Sequence, residues 1–139
     1  MDAFTQKCVE FFKHDRFATN AGISIVEARP GYAKVEMTVQ DSHLNGANVL
    51  HGGAIFTMAD FAFAIASNSH GRVALSINAS INFVKAVKVG TKVSATAKEL
   101  SIGHKLGVYE MEIRNEATGE LTATMQGTVY RKDDTLPGF

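Results

Sequence analysis

The segment NVLHGGAIFTMADFAFAIA, from Asn48 to Ala66, carries the strongest structural signal in the chain. It opens as a loop with a Gly-Gly pair and continues as one of the most apolar runs in the chain. Its small and apolar residues predict a helix over about 54–69 that ends near Gly71. A helix that is apolar on nearly all sides is expected to be buried. One carboxylate, Asp60, lies in the middle of this run and requires an explanation.

The segments on both sides of this helix alternate apolar and polar residues, which predicts β-strands. In the first strand after the helix, alternate residues from Leu75 to Phe83 form one apolar face. Short turns between the later strands favour an antiparallel meander. An apolar stripe at helical spacing predicts a further short helix at about 3–15. Two strands are predicted before the long helix and four after it: ISIVEA and AKVEMTV, then ALSINASINFV, KVSATAKEL, GVYEMEIRN and LTATMQGTVYR.

These elements predict an α+β fold in which a curved antiparallel β-sheet wraps around a long central helix. The length of 139 residues fits one domain spanning 1–139. Fourteen basic residues balance 14 acidic ones, which argues against a nucleic-acid or membrane-surface binder. The single cysteine, Cys8, excludes an internal disulfide and fits a reducing compartment. Without a signal-like apolar segment or a run of about 20 apolar residues, the expected location is cytoplasmic.

Asp60 is the first candidate for chemistry. On a helix it shares a face with Phe56, Phe63 and Ala64, because positions three and four apart are neighbours. A buried carboxylate is costly unless it is paired, hydrogen-bonded or protonated. Three interpretations are open at this point. The helix could begin at Asp60, which would cap it; the carboxylate could face solvent at an edge; or a dry pocket could hold it as a base or nucleophile.

The Gly-Gly pair at Gly52 and Gly53 is the second candidate. If the helix starts just after it, these backbone N–H groups are among the unpaired donors of the first turn. Together with the helix dipole, such donors can hold an oxyanion. An ordinary glycine turn is the alternative. His51 and Asn45 could orient the loop or the substrate, but both residue types are also common in structural roles.

The remaining signals concern ligands. Five lysines and one acid lie between Lys85 and Lys105, which suits a phosphate-bearing ligand, although a solvated face of lysines explains the same pattern. The five histidines show no metal-ligand spacing. The sequence also lacks a serine-hydrolase elbow, a Walker phosphate loop and a dinucleotide fingerprint.

The residues from Asn45 to Asn68, NGANVLHGGAIFTMADFAFAIASN, closely resemble the signature of hotdog-fold acyl-CoA thioesterases of the phenylacetate-degradation (PaaI-like) type. The resemblance extends over roughly Gly22 to Arg131. It implies a hotdog fold and a hydrolase that cleaves an acyl- or aryl-CoA thioester into free acid and coenzyme A. Coenzyme A would be part of the substrate, so no cofactor and no metal are expected.

The resemblance also implies a role for individual residues. The sequence FVKAVKVG departs from the family by lacking its usual Arg-Pro or Ser-Pro. The implied roles are Asp60 as the catalytic carboxylate, the Gly52 amide as the polariser of the thioester carbonyl, Asn45 and His51 as supports of the loop, and Ser76 as the residue that places the nucleophilic water or carboxylate. The candidate substrate or coenzyme contacts come from the residue patterns instead: Gly53 from the glycine pair, and Lys85 and Lys105 from the lysine-rich segment.

The spacing of Gly52 and Asp60 bears on assembly. Eight residues of helix span about 12 Å, which is too far for one helix to place both groups on one carbonyl. We therefore expect a homodimer in which Gly52 of one subunit faces Asp60 of the other, as the resemblance also implies, and a homotetramer as the complete assembly. Two alternatives are a hotdog hydratase or dehydratase, which the order of His51 before Asp60 disfavours, and a non-catalytic acyl-CoA-binding module, which would tolerate loss of the acid.

Overall fold

One long helix and one six-stranded sheet make up most of the structure. The computed structural model describes residues 1–139. No helix in it is long and apolar enough to cross a membrane. The elements are α1 (Ala3–Phe12), α2 (Arg16–Asn20), β1 (Ser24–Arg29), β2 (Tyr32–Thr38), a 3-10 turn (Asp41–His43), α3 (Gly52–Asn68), β3 (Arg72–Phe83), β4 (Lys92–Ile102), β5 (Leu106–Asn115) and β6 (Leu121–Thr135).

All six predicted strands are present, and every pair is antiparallel. The strand order is β1-β2-β4-β5-β6-β3, so the predicted meander holds for β4, β5 and β6 only. The expectation that β3 would continue directly into this meander is wrong. The chain after β3 crosses to the other side of the sheet, where Leu50 N–H donates to Val87 O and Val39 N–H donates to Thr91 O. It thus starts β4 beside β2 and leaves β3 as an edge strand.

The prediction that the long helix is buried is confirmed along most of its length. Met58, Ala62 and Ile65 of α3 are inaccessible to solvent. Short side chains let the helix and sheet approach closely, and Gly127 of β6 shows how closely. A Cβ atom at Gly127 would lie only 2.5 Å from the Phe63 ring, which also packs against another aromatic ring of the sheet.

The apolar face predicted for β3 is not part of the core of the chain. The side chains of Leu75, Ile77 and Phe83 are 53%, 60% and 56% exposed. A register irregularity between Ser76 and Asn78 also interrupts the alternation: Leu75 pairs with the exposed Tyr130 and Phe83 with the buried Ala123, so these two side chains lie on opposite faces of the sheet. An edge strand that exposes large apolar side chains is typical of an interaction surface.

The N-terminal helix ends earlier than predicted. The expected helix over about 3–15 stops at Phe12, and a second helix, α2, follows. Asp15 separates the two because its side chain accepts a hydrogen bond from Ala18 N–H at 3.1 Å and thereby caps α2. α2 packs on α3, and this contact places an acidic residue near the centre of the long helix.

Candidate active site

The start of α3 presents a free backbone donor. The helix begins at Gly52, with His51 as its N-cap, so the Gly-Gly pair forms the first two helical residues rather than the turn before them. His51 Nδ1 accepts a hydrogen bond from Gly53 N–H at 2.8 Å. Gly52 N–H makes no hydrogen bond within the chain. Of the two candidate donors, Gly52 alone is therefore available to a substrate oxygen.

Gly52 opens into a cleft of about 390 Å³. Asn45, Phe83 and Lys85 line the same cleft. A Cβ atom at Gly52 would lie 3.2 Å from the Phe83 ring, so glycine leaves this donor uncovered and the ring close to it. The Lys85 ammonium group pairs with Glu120 at 2.6 Å on the open side of the cleft.

Asn45 shapes the loop that leads into the helix. Its Oδ1 accepts hydrogen bonds from Ala47 N–H at 2.9 Å and from Val49 N–H at 3.2 Å. Asn48, in the same loop, adopts a left-handed φ of 60°. The side-chain oxygen of Asn45 thus holds the loop in place, and the side chain of His51 caps the helix. The sequence had left a structural role open for both residues, and both have one here.

His43 is a supporting residue that the sequence did not single out. Its ring is buried, its Nδ1 accepts a hydrogen bond from Gln40 N–H at 2.9 Å, and its Nε2 lies 2.6 Å from Ala21 O. Its carbonyl oxygen accepts a hydrogen bond from His51 N–H at 2.8 Å. His43 thus holds His51, the N-cap of α3, in position. A lone histidine in a polar loop gives no pattern that predicts such a role.

Asp60 lies in the centre of α3, about two turns from Gly52, which excludes the interpretation that the helix begins there. Its side chain is half-buried and forms no hydrogen bond or ion pair within the chain. It lines a cleft of about 440 Å³ between α2 and α3, together with Asp15, Phe56 and Phe61. Burial raises the pKa of Asp60, and the nearby Asp15 carboxylate acts in the same direction. Such a carboxylate is an unpaired base in a largely apolar cleft.

One expected neighbour of Asp60 is elsewhere. Phe56 lines the same cleft, as the helical spacing predicted. Phe63, which was expected on the same face, is only 1% exposed and packs against Tyr109, with ring centroids 5.6 Å apart. Three residues of spacing turn a helix by less than a full circle, so Phe63 falls on the sheet side of α3 while Asp60 stays on the open side.

The structure does not bring all the predicted site residues together within one chain. The Gly52 cleft and the Asp60 cleft share no lining residue, and Ser76 lines neither of them. Lys85 and Lys105 lie at opposite ends of the sheet. Lys85 N–H donates to Thr122 O at the start of β6, whereas Lys105 O accepts from Arg131 N–H nine residues later, about 30 Å along the strand. One nucleotide contact on a single chain cannot use both lysines.

A single long helix inside a curved antiparallel sheet is the hotdog fold. No group of three His, Cys, Asp or Glu side chains could hold a metal ion. The family model of the thioesterase superfamily matches residues 47–122, which include the start of α3, its central carboxylate and the strands up to the start of β6. The chain belongs to the thioesterase superfamily.

Similar proteins cover nearly the whole chain. The acyl-coenzyme A thioesterase PaaI of Escherichia coli is 35% identical over 96% of this chain and 94% of its own length. A putative esterase of Archaeoglobus fulgidus is 49% identical over 91% of this chain and 81% of its own. The solved structure of the E. coli PaaI protein superimposes with a TM-score of 0.88 at 34% identity and covers 96% of this chain and 99% of that one. A Streptococcus mutans protein solved with acetyl CoA superimposes with a TM-score of 0.78 at 25% identity and covers 82% and 91%.

Proposed function

We propose that this thioesterase hydrolyses an acyl- or aryl-CoA thioester to the free acid and coenzyme A, at a site built from two subunits. Gly52 N–H of one subunit donates to the thioester carbonyl oxygen, and Asp60 of the other subunit faces the carbonyl carbon. The observation that carries the proposal is the unpaired, half-buried carboxylate of Asp60 on an otherwise apolar helix. The unbonded Gly52 N–H at the start of the same helix supports it.

The chemistry needs only these groups and water. As a general base, Asp60 takes a proton from water while the oxygen attacks the carbonyl carbon, and the C–S bond then breaks to release the coenzyme thiolate, which takes up a proton. As a nucleophile, the Asp60 carboxylate attacks the carbonyl carbon, the C–S bond breaks to release the coenzyme thiolate, and water then hydrolyses the mixed anhydride to the free acid and restores the carboxylate. In both routes negative charge develops on the carbonyl oxygen, where Gly52 N–H and the positive end of α3 stabilise it. The proposed reaction uses no cofactor.

The proposed assembly is a homodimer, with a homotetramer as the complete form, in the cytoplasm. Support for the dimer comes from two features of the single chain. Gly52 and Asp60 open into separate clefts about 12 Å apart along one helix. The edge strand β3 exposes the apolar side chains of Leu75, Ile77 and Phe83, and a second copy would cover them. Ser76 on the same strand would then lie at the interface, where it could position the water or the carboxylate.

The coenzyme is proposed to leave the reacting centre through the Gly52 cleft. Lys85 lines this cleft, and its ammonium group, which pairs with Glu120 at the surface, would bind a phosphate of the coenzyme. Asn45 also lines the cleft. Lys105 lies too far from Lys85 to contact the same nucleotide within one chain, so the proposal assigns this contact to Lys85.

A panel of acyl-CoA thioesters assayed for release of free thiol tests the activity itself. Thiol release supports hydrolysis. A hydratase would instead change the acyl group without releasing thiol, and a binding module would bind acyl-CoA without turnover; either result would replace the proposal.

Mixed subunits test the shared site. Proline at Gly52 removes the N–H donor, fits the first position of a helix, and suits the extended backbone of His51 before it. Neither Gly52→Pro nor Asp60→Ala should be active alone. Refolded together in equal amounts, they should recover about a quarter of wild-type activity, because half of the dimers are hybrid and each hybrid has one intact site.

The matched control for proline is Gly52→Ala. It introduces the same close contact with the Phe83 ring, at 3.2 Å, but keeps the N–H donor. Gly52→Ala should therefore retain much more activity than Gly52→Pro. If the two inactive variants recover nothing when mixed, although each forms dimers with wild-type subunits, the site lies within one chain and the proposed geometry is wrong.

A further inference from the structure

Phe61 separates two cavities of the chain. It follows Asp60 on α3 and is only 2% exposed. On one side its ring lines the Asp60 cleft, beside Phe56 and α2. On the other side the same ring lines a second cavity of about 180 Å³ between α1, α2 and the start of β1. Phe61 is thus the one lining residue that the Asp60 cleft and this second cavity share.

The second cavity is mainly apolar. Val9 and Phe12 of α1, with Ile23 and Ile25 at the start of β1, form most of its wall. Its polar lining residues lie on α2, on β1 and just after α1, and Lys13 among them is already paired with Glu10 at 2.7 Å. A cavity with this lining favours a hydrocarbon chain and disfavours a charged group, because burial of an unpaired charge is costly.

The positions of the two clefts and the second cavity indicate the direction in which the acyl group extends from the reacting carbonyl. In the proposed site the coenzyme leaves by the Gly52 cleft, which shares no lining residue with the Asp60 cleft. The acyl group must then extend from the carbonyl along the Asp60 cleft towards α2. Phe61 lies beside the acid in that direction, and the apolar cavity lies behind it.

We propose that Phe61 determines the acyl-chain length that the enzyme accepts. The Phe61 ring forms the end of the acyl-binding subsite. The apolar second cavity would lengthen this subsite, but the ring prevents an acyl chain from entering it. The substrates of the unaltered site are accordingly uncharged acyl groups compact enough to end at this ring, including short straight chains and single aromatic rings. This inference rests on the proposed function, since it presupposes a thioester at Asp60.

Substitution of Phe61 tests the inference with a series of straight-chain acyl-CoAs from acetyl to tetradecanoyl. The wild-type kcat/KM should fall sharply beyond one chain length. Phe61→Ala should move this limit to longer chains and raise kcat/KM for the first chains beyond it by at least about tenfold, the smallest discrimination expected for a methylene in an apolar pocket. Phe61→Leu should give an intermediate limit and serves if the alanine variant folds poorly. An acyl chain that ends in a carboxylate should gain nothing.

Phe63→Ala is the matched control. It removes an equally buried phenylalanine ring from the same helix, but Phe63 faces the sheet and lines neither cavity. It should lower stability without moving the chain-length limit. Refilling the second cavity in the Phe61→Ala protein by Val9→Phe should restore the short limit, since Val9 lines that cavity alone.

Two results would overturn the inference: a Phe61→Ala enzyme that loses activity in equal proportion for every chain length, or a Phe63→Ala enzyme with the same shifted limit. Affinities for alkyl-CoA thioethers, which cannot be hydrolysed, separate this outcome from failure of the proposed function. A protein that releases no thiol from any thioester but binds longer thioethers after Phe61→Ala would disprove the hydrolysis and support the subsite. Unchanged thioether affinities in an active enzyme would disprove the subsite alone.

Discussion

Asp60→Asn should inactivate the enzyme and at the same time stabilise it. Loss of a general base or nucleophile commonly lowers turnover by at least about a hundredfold. The structural reason for the gain in stability is that burial raises the pKa of the Asp60 carboxyl, so the folded protein holds the ionised form at a cost. Asparagine keeps the shape of the side chain without the charge. The two effects have one origin, which is an acid that no other group in the chain neutralises.

The size of the stabilisation by Asp60→Asn depends on pH. Because the folded pKa of Asp60 is higher than the unfolded value of 3.8, the folded protein binds more protons between these two pKa values. The free energy of unfolding of the wild type therefore falls as pH rises through this window and stays lowered above it. The advantage of Asp60→Asn should be absent below the unfolded pKa and complete at neutral pH. We expect about 0.5–1 kcal/mol there, in the lower part of the range for single stabilising substitutions, because the carboxylate is only half-buried.

Thermal unfolding at several pH values, with thiol release measured on the same samples, checks this prediction. For a chain of 139 residues, a gain of this size corresponds to an increase in Tm of about 2–4 °C. Protein concentration must be equal in all samples, since the Tm of an oligomer depends on it. Asp41→Asn is the control, because Asp41 is exposed and should affect neither quantity. An Asp60→Asn protein that keeps wild-type turnover, or that is less stable than the wild type at neutral pH, would refute the reasoning.

Two further predictions concern the charges around the site. Asp15→Asn still caps α2 but removes a negative charge from the Asp60 cleft, so it should lower the pKa of Asp60. The acid limb of the kcat/KM profile should therefore move to lower pH, and the shift should be smaller in high salt. Asp2→Asn, which changes the corresponding cap of α1, should leave the profile unchanged, and equal shifts in both variants would contradict the prediction. Lys85→Glu should raise KM for acyl-CoA and leave kcat nearly unchanged, the pattern of lost uniform binding, and should not affect an acyl-pantetheine that lacks the nucleotide. Lys105→Glu is the comparison at the far end of the sheet, and an equal effect there would count against a specific nucleotide contact.

Local patterns in the sequence were sufficient to predict the elements and their faces. The alternation in the predicted strand AKVEMTV correctly indicated one buried face, since its apolar residues Val35, Met37 and Val39 are all buried. The apolar run after the Gly-Gly pair correctly gave one long buried helix, with the acid at its centre. Such predictions succeed because the hydrophobic period of a segment reflects its own geometry.

Features set by contacts between distant segments were not predictable in this way. The order of strands depends on where the chain after Phe83 crosses, and nothing in β3 itself records that it pairs with β6. The alternation in β3 predicts an apolar face but not which surface covers it. The acidic neighbour of Asp60, Asp15, comes from the packing of a five-residue helix too short to show a period.

The exposed face of β3 and the divided site have a common explanation in the proposed dimer. In a two-fold symmetric interface, a contact between Gly52 of one subunit and Asp60 of its partner occurs twice, so one interface produces two equivalent sites. The same interface would remove the apolar side chains of β3 from water, which provides the driving force for association. In a single chain, the Asp60 carboxylate and the Gly52 N–H donor would then be unable to act on the same substrate. They could do so only after a second subunit covers the edge strand β3. Assembly and activity should consequently be lost together when a charge is placed among the exposed apolar side chains of β3, for example by Ile77→Asp, while a charge in an exposed turn away from this strand, for example Ala117→Asp, should spare both.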